Sequence, residues 1–252
     1  MKKIIIFQHA AQDLLGTLHP LIRMKGFKVR YVNFQRNPEE HPKLDKYQGL
    51  IIFGGHMGVY EAEKYPHLKI ELKVIEEALK KDIPVLGICL GSQLLAQVLG
   101  SPVRKHQQKE IGWTKVCLTP GGASDSLFNH FRESEYLFQM HGDTFDIPKC
   151  AVHLATSEIC PSQAFRFQNK VYGIQFHLEV DALMINRWLN NPAHKSDLES
   201  AGMTADSIHA DTNLYLARSL ELSRQTFQHF LFQFGLKEKR KILYLEHASE
   251  KK

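Results

Sequence analysis

The chain has 252 residues, of which 43% are hydrophobic and 23% charged, with a formal net charge of +5. That is enough apolar material for a sizeable core, and it excludes a disordered chain. The mild positive excess has no clustered stripe, which argues against nucleic acid as a partner; the densest basic run, 237–241, reads as a solvated end.

The first apolar run, 4–7, is broken by Gln8 and His9. It is too short for a signal-peptide core and reads as a short buried strand. A helix is expected over 13–25, with Gly26 as its C-terminal stop. Strands follow at 28–34 and at 49–53, the latter ending in Gly54-Gly55. Helical spacing of Ile70, Val74, Ile75, Ala78 and Leu79 predicts a helix over 69–80. A strand at 84–88 runs straight into Cys89, and a helix over 91–99 follows.

Short, wholly apolar strands alternating with helices predict a parallel sheet covered on both faces. From 111 to 175 the pattern changes to strands at 113–118, 135–140, 153–156, 164–168 and 170–176, joined by tight turns. These read as an antiparallel extension of the same sheet. Residues 120–126 faintly resemble a phosphate loop but lack the βα unit that should follow, and are read as a plain loop. From Asp181 on the chain is helical, and 209–234 fits one long amphipathic helix or two. The fold class expected is therefore α/β. It is a single domain with a mostly parallel central sheet flanked by helices, an antiparallel extension and a C-terminal helical segment. The division expected is a first unit over 1–190 and a helical extension over 191–252, packed on the same domain.

The four cysteines, Cys89, Cys117, Cys150 and Cys160, have neither C-x-x-C nor zinc spacing, which fits a reducing compartment. No stretch approaches the roughly 18 apolar residues of a membrane span, so no membrane partner and a cytoplasmic location are expected.

Two stretches carry chemistry. In Gly87-Ile-Cys89-Leu-Gly91 an apolar strand turns directly into a helix, the cysteine form of a nucleophile elbow. The tight turn demands small residues two before and two after the nucleophile. It also puts the thiol at a helix N-terminus, where partial positive charge favours thiolate. The amide of Leu90 would face a developing oxyanion. In Phe176-His177-Leu178-Glu179 a histidine and a carboxylate lie two residues apart near the end of an expected strand, hence on one face. A carboxylate beside a histidine fixes its tautomer and stabilises its imidazolium, as a base requires. A bland reading of each, a buried core cysteine and a surface His/Glu pair, remains open on these residues alone.

Taken together these stretches resemble class I glutamine amidotransferases, in particular stand-alone proteins similar to the amidotransferase part of GMP synthase. The matching residues are Gly54-Gly55, 87–93, Glu110-Ile-Gly-Trp113, 140–145 and 173–179, in the family's order and within 4–181. The resemblance implies a cysteine-nucleophile amidohydrolase. Cys89 would attack a γ-glutamyl amide carbon, His177 would move the proton, and Glu179 would hold His177. The amides of Gly55 and Leu90 would form the oxyanion hole. Gly54, Gln93 and the loop His141-Gly142-Asp143 would help hold the substrate's amino-acid end. Water would then release glutamate from a thioester.

The chain departs from the pattern at Leu178 and at His56, each where the family usually has proline. No cofactor and no metal are implied. The expected substrate is a small molecule, glutamine or another γ-glutamyl compound, with a synthetase or other acceptor enzyme as partner. A γ-glutamyl peptide or amide hydrolase using the same triad is one alternative, and a non-catalytic amidotransferase-like binding protein is another.

Overall fold

The computed structural model describes residues 2–10 and 14–234. The basic run at 237–241 lies outside these.

The first strand, β1 (Lys3–Gln8), is buried on both sides. Ile4 and Ile6 face one core, while Ile5 and Phe7 face the other. Helix α1 (Leu18–Met24) leads to β2 (Lys28–Asn33), then β3 (Leu50–Ile52), α2 (His67–Lys80) and β4 (Val85–Ile88). Helix α3 (Leu90–Val98) is followed by the long β5 (Val103–Leu118), the one-turn α4 (Pro120–Ala123) and β6 (Ser134–Phe145). Then come β7 (Ala151–Ser157), β8 (Ala164–Phe167) and β9 (Val171–Ile174), and finally α5 (Ala182–Leu189), α6 (Lys195–Ser200) and α7 (Ala205–Phe232).

All nine strands form one sheet in the order β2-β1-β3-β4-β9-β8-β7-β5-β6. The first five in that order run parallel, and the rest pair antiparallel from β9 outward. This is the α/β architecture with an antiparallel extension that the sequence pattern predicts. On one face Leu18, Leu21 and Ile22 of α1 and Leu222, Phe227, Phe230 and Leu231 of α7 pack on Ile6, Ile51, Ile88 and Ile174. On the other, α2 and α3 bring Leu68, Val74, Ile75, Leu94 and Leu95 against Phe7, Ile52 and Val85. Each such fully buried side chain contributes roughly 1.5–3 kcal/mol. A third cluster joins Trp113 and Phe138 of the extension to Met184, Ile185 and Trp188 of α5. Among the described residues no helix is long and apolar enough to cross a membrane.

The departures from the expected elements have local causes. The first helix starts at Leu18, not 13, and Asp13 lies outside the described residues. Gly16 has φ +47° there, and a Cβ on it would come within 1.9 Å of the Glu179 carbonyl oxygen. Thr17 N–H donates to that same oxygen at 3.0 Å. The segment is thus pinned across the Glu179 backbone instead of coiling.

Residues 120–126, expected as a loop, begin with the helical turn α4, because Thr119 caps Gly122 N–H and Pro120 opens the turn. Strand β5 starts ten residues before the expected 113, as its exposed polar first half shows no alternation. The expected strand 170–176 stops at Ile174, so His177 and Glu179 lie in an irregular segment beyond β9. His177 is held there by donating its backbone N–H to the Phe138 carbonyl at 2.8 Å. The 209–234 region is one helix, not two.

Candidate active site

Register places the two informative stretches side by side. Ile88 of β4 pairs with Ile174 of β9, and the next amide, Cys89 N–H, donates to the Ile174 carbonyl at 2.8 Å. Both chains therefore leave the sheet at the same edge, the carboxyl ends of its parallel strands.

Cys89 has φ 52° and ψ −110°, an unusual backbone for a residue with a side chain. The flanking glycines permit it. A Cβ on Gly87 would come within 2.3 Å of the Gly91 carbonyl oxygen, and one on Gly91 within 2.3 Å of the Ile52 carbonyl oxygen. Helix α3 opens at Leu90, whose first-turn amide has no acceptor within its own helix.

His177 is buried and pairs through Nδ1 with Glu179 Oε1 at 2.7 Å. That leaves Nε2 as the ring's second polar atom. The space beside Gly54 locates ring and sulfur relative to each other. A Cβ there would sit 3.3 Å from His177 Cε1, 3.5 Å from Cys89 Cβ and 3.9 Å from Cys89 Sγ. Burial alone would lower the His177 pKa. The Glu179 charge, with Cys89 and the Glu179 hydrogen bond, outweighs it and pushes the imidazole up to about 10. The ring also packs edge-on against Trp188, with centroids 4.9 Å apart.

Cys89, His177 and Glu179 line a cavity of about 660 Å³ together with Gly54, Gly55, Gln93, His141, Gly142 and Asp143. Of the residues named from the sequence, Leu90 alone does not line it by side chain, since its side chain is buried in the α2–α3 core. The structure thus brings the named residues to one place.

Their postures differ. His141 is turned inward, its Nε2 2.9 Å from Glu110 Oε2 and its Nδ1 3.0 Å from the Asp143 carbonyl oxygen. Asp143 is half-buried and accepts a hydrogen bond from Tyr60 at 3.2 Å. Burial pushes the Asp143 carboxyl up, while burial and the Asp143 charge push the Tyr60 hydroxyl up to about 12. Gln93 donates to Gln175 Oε1 at 3.1 Å.

Sequence reasoning missed several residues of this region. Tyr60 sits on a 3-10 turn, Val59–Glu61, which carries no motif. Trp188, Met184 and His194 reach the cavity from the C-terminal helices, where no pattern pointed to a site. Gly16 could have been noticed as a glycine within the expected first helix. Glu110, His141 and Cys160 lie close enough to share an ion, yet both Glu110 oxygens are already engaged by His141, Ser157 and Gln163. The ligand atoms of that cluster are engaged in hydrogen bonds with one another and with Thr144.

Comparison with known proteins follows the same residues. The family described as "Glutamine amidotransferase class-I" matches residues 15–189. The glutamine amidotransferase-like protein YfeJ of Salmonella typhimurium is 32% identical over 174 residues, covering 68% of this chain and 73% of that protein. A separate subunit of the glutamine-hydrolysing GMP synthase of Methanococcus vannielii is 32% identical over 179 residues, covering 70% of this chain and 87% of that protein. A crystal structure of a glutamine amidotransferase from Thermotoga maritima superposes with a TM-score of 0.82 at 35% identity, covering 91% of this chain and 98% of that one.

Proposed function

Because this chain belongs to the class I glutamine amidotransferase family, on the side similar to GMP synthase, we propose that it hydrolyses a γ-glutamyl amide through a thioester on Cys89, releasing ammonia and glutamate. One observation carries the reading. A cysteine in a strained backbone at a helix N-terminus shares a cavity with a histidine that a buried carboxylate orients.

In this account His177 holds the proton of the Cys89 thiol as an imidazolium and gives it to the departing amine, while Glu179 holds the ring and balances its charge. The tetrahedral oxygen that forms when sulfur attacks is met by the amides of Leu90 and Gly55. Gly54, Gln93, Gly142 and Asp143 hold the amino-acid end of the substrate, with His141 bracing the loop from behind. Bond making and breaking balance. Sulfur displaces the amine to give the thioester, and water then displaces sulfur to give glutamate and restore the thiol.

Two readings of the physiological reaction follow from the same triad. Likeness to a GMP synthase component that is a chain of its own supports a synthetase or other acceptor enzyme that takes the ammonia. The cavity supports the second, a γ-glutamyl peptide or amide hydrolase. At about 660 Å³ it is in the range that houses a drug-sized ligand, larger than one amino acid demands.

A screen of the purified protein against glutamine and several γ-glutamyl compounds, scoring ammonia and glutamate, tests both. Glutamine turnover that rises sharply with an acceptor enzyme favours the first, and peptide turnover by the chain alone the second. Cys89→Ala should abolish either activity while the fold is kept. Unchanged turnover in that variant would remove the cysteine mechanism.

We also take 191–252 as an extension of the unit formed by 1–190. Leu222, Phe227 and Phe230 of α7 belong to the same buried cluster as Ile4 and Ile6 of β1, which supports this. A chain ending at 190 should fail to fold; a stable, well-dispersed truncated chain would refute the assignment.

A further inference from the structure

A third buried carboxylate–histidine group stands behind the Gly54-Gly55 loop, and no motif predicted it. Strand β1 delivers His9, 1% exposed, to the carboxyl edge of the sheet. Its Nδ1 lies 2.8 Å from the Gly54 carbonyl oxygen and its Nε2 2.9 Å from Glu71 Oε2. Glu71, on α2, is fully buried, and its other oxygen lies 2.8 Å from His67 Nδ1. Phe34 stacks on His67 with centroids 5.3 Å apart and flanks His9 at 6.2 Å.

The partners fix the protons. A carbonyl oxygen only accepts, so His9 Nδ1 carries hydrogen. An ionised carboxylate also only accepts, so Nε2 carries hydrogen as well. Burial pushes the Glu71 carboxyl up, but the two histidines outweigh it and bring it below the usual range, which keeps Glu71 ionised.

The Gly54 carbonyl belongs to the same peptide unit as the Gly55 N–H. Among the described residues every peptide is trans, so the C=O and N–H bonds point in opposite directions. With the carbonyl gripped by His9, the Gly55 N–H is turned away from His9. Cys89 and His177 stand beside this loop, each within 4 Å of where a Gly54 Cβ would be, and line the same cavity as Gly55. The next residue is His56, not a proline that would stiffen the loop, so the loop's shape depends on contacts such as this one.

We propose that His9, held doubly protonated by Glu71, is a positioning residue that fixes the Gly54–Gly55 peptide with its N–H turned toward the position of the developing oxyanion. The inference rests on the thioester reading given above and deepens it. A buried ion pair that served packing alone would be replaceable by apolar side chains of like volume. This one ends on a single backbone carbonyl of the candidate oxyanion loop. Among the described residues the groups facing His9 include Glu71 and His67 from α2, with His56 nearby on the loop.

The test compares wild type, His9→Phe and Glu71→Gln in the full chain. Two rates are followed: γ-glutamyl hydrolysis (kcat and KM) and alkylation of Cys89 by iodoacetamide, read by peptide mass. Alkylation displaces iodide and builds no oxyanion, so it reports the nucleophile without the hole. Loss of a single oxyanion donor costs about 100-fold or more in kcat, so His9→Phe should lose about 100-fold. Glu71→Gln should lose less, roughly tenfold, because a neutral His9 still donates from Nδ1. KM should stay within about twofold, and the alkylation rate should not change.

An unchanged kcat in both variants, or an equal loss of alkylation, would overturn the proposal. If His9→Phe does not fold, Glu71→Gln decides alone. If wild type hydrolyses no γ-glutamyl compound, the functional reading fails instead. The ring-nitrogen NMR spectrum of His9 then judges the inference: two protonated nitrogens at neutral pH uphold it, and one overturns it.

Discussion

Two histidines that line the cavity each stand two residues before a carboxylate, His141 before Asp143 and His177 before Glu179, and the fold treats them in opposite ways. His141 lies in the antiparallel ladder of β5 and β6, directly across from Glu110, beside a shift of register. Its ring joins that cross-strand glutamate, whose oxygens also accept from Ser157 at 2.6 Å and Gln163 at 2.6 Å. Asp143 is left to face Tyr60.

His177 lies beyond the end of a parallel strand, bridged by its backbone to the apolar Phe138, so no cross-strand carboxylate competes, and it does pair with its own Glu179 at 2.7 Å. Glu179 is buried, and its Oε2 has no hydrogen-bond partner among the described residues. The His141 ring has both nitrogens engaged, while the His177–Glu179 pair retains an unused acceptor and a ring open to the cavity. The same short pattern yields a brace in the antiparallel half and the proposed base at the edge of the parallel half. Where the strand ends, more than the spacing, decides which.

The comparison breaks most sharply at His177. His177→Ala should lower γ-glutamyl turnover by roughly 10²–10⁴-fold, the usual contribution of a positioned base. Glu179→Gln should cost less, because the amide oxygen still accepts from Nδ1, and equal losses would contradict the assigned roles. The pair also makes a stability statement with a definite sign. The folded-state pKa of His177 is raised from 6.5 to about 10. The stabilisation it brings is fully present below about pH 6.5 and is lost as pH rises through about 10. The gap in urea midpoint between wild type and Glu179→Gln should therefore narrow across that window, and a gap that widens would reverse the argument.

A smaller, structural effect sharpens the other side. Glu110→Gln puts an amide donor among the donors of His141, Ser157 and Gln163. It should cost about 1.5–3 kcal/mol of stability, as for a lost hydrogen bond to a charged group. Turnover should fall much less than in His177→Ala. A larger kinetic than thermodynamic effect, seen by comparing kcat with urea midpoints, would move Glu110 into the reacting group.

Much of this was legible in the residues. Wholly apolar short strands announced a sheet buried on both faces, and Gly87 and Gly91 around Cys89 announced the turn that only small residues allow. The coming together of Cys89 and His177 needed the pairing of β4 with β9, which are separated in sequence by the whole antiparallel extension. No local signal encodes that, and here the family resemblance stood in for it. Gly16 against the Glu179 carbonyl, Tyr60 against Asp143 and His9 against Gly54 were not legible, because each is one long-range contact of a residue with no periodic or motif context. The polar first half of β5 was missed for a different reason: an exposed strand need not alternate.

The most direct test of the central claim is the site of reaction with a glutamine-like alkylating agent, read by intact mass and peptide mapping over the free cysteines Cys89, Cys117, Cys150 and Cys160. The account predicts a single adduct, on Cys89, which excess glutamine or γ-glutamyl substrate suppresses and which His177→Ala slows. Modification led by the exposed Cys150, or an adduct on Cys89 that no γ-glutamyl compound protects, would contradict it.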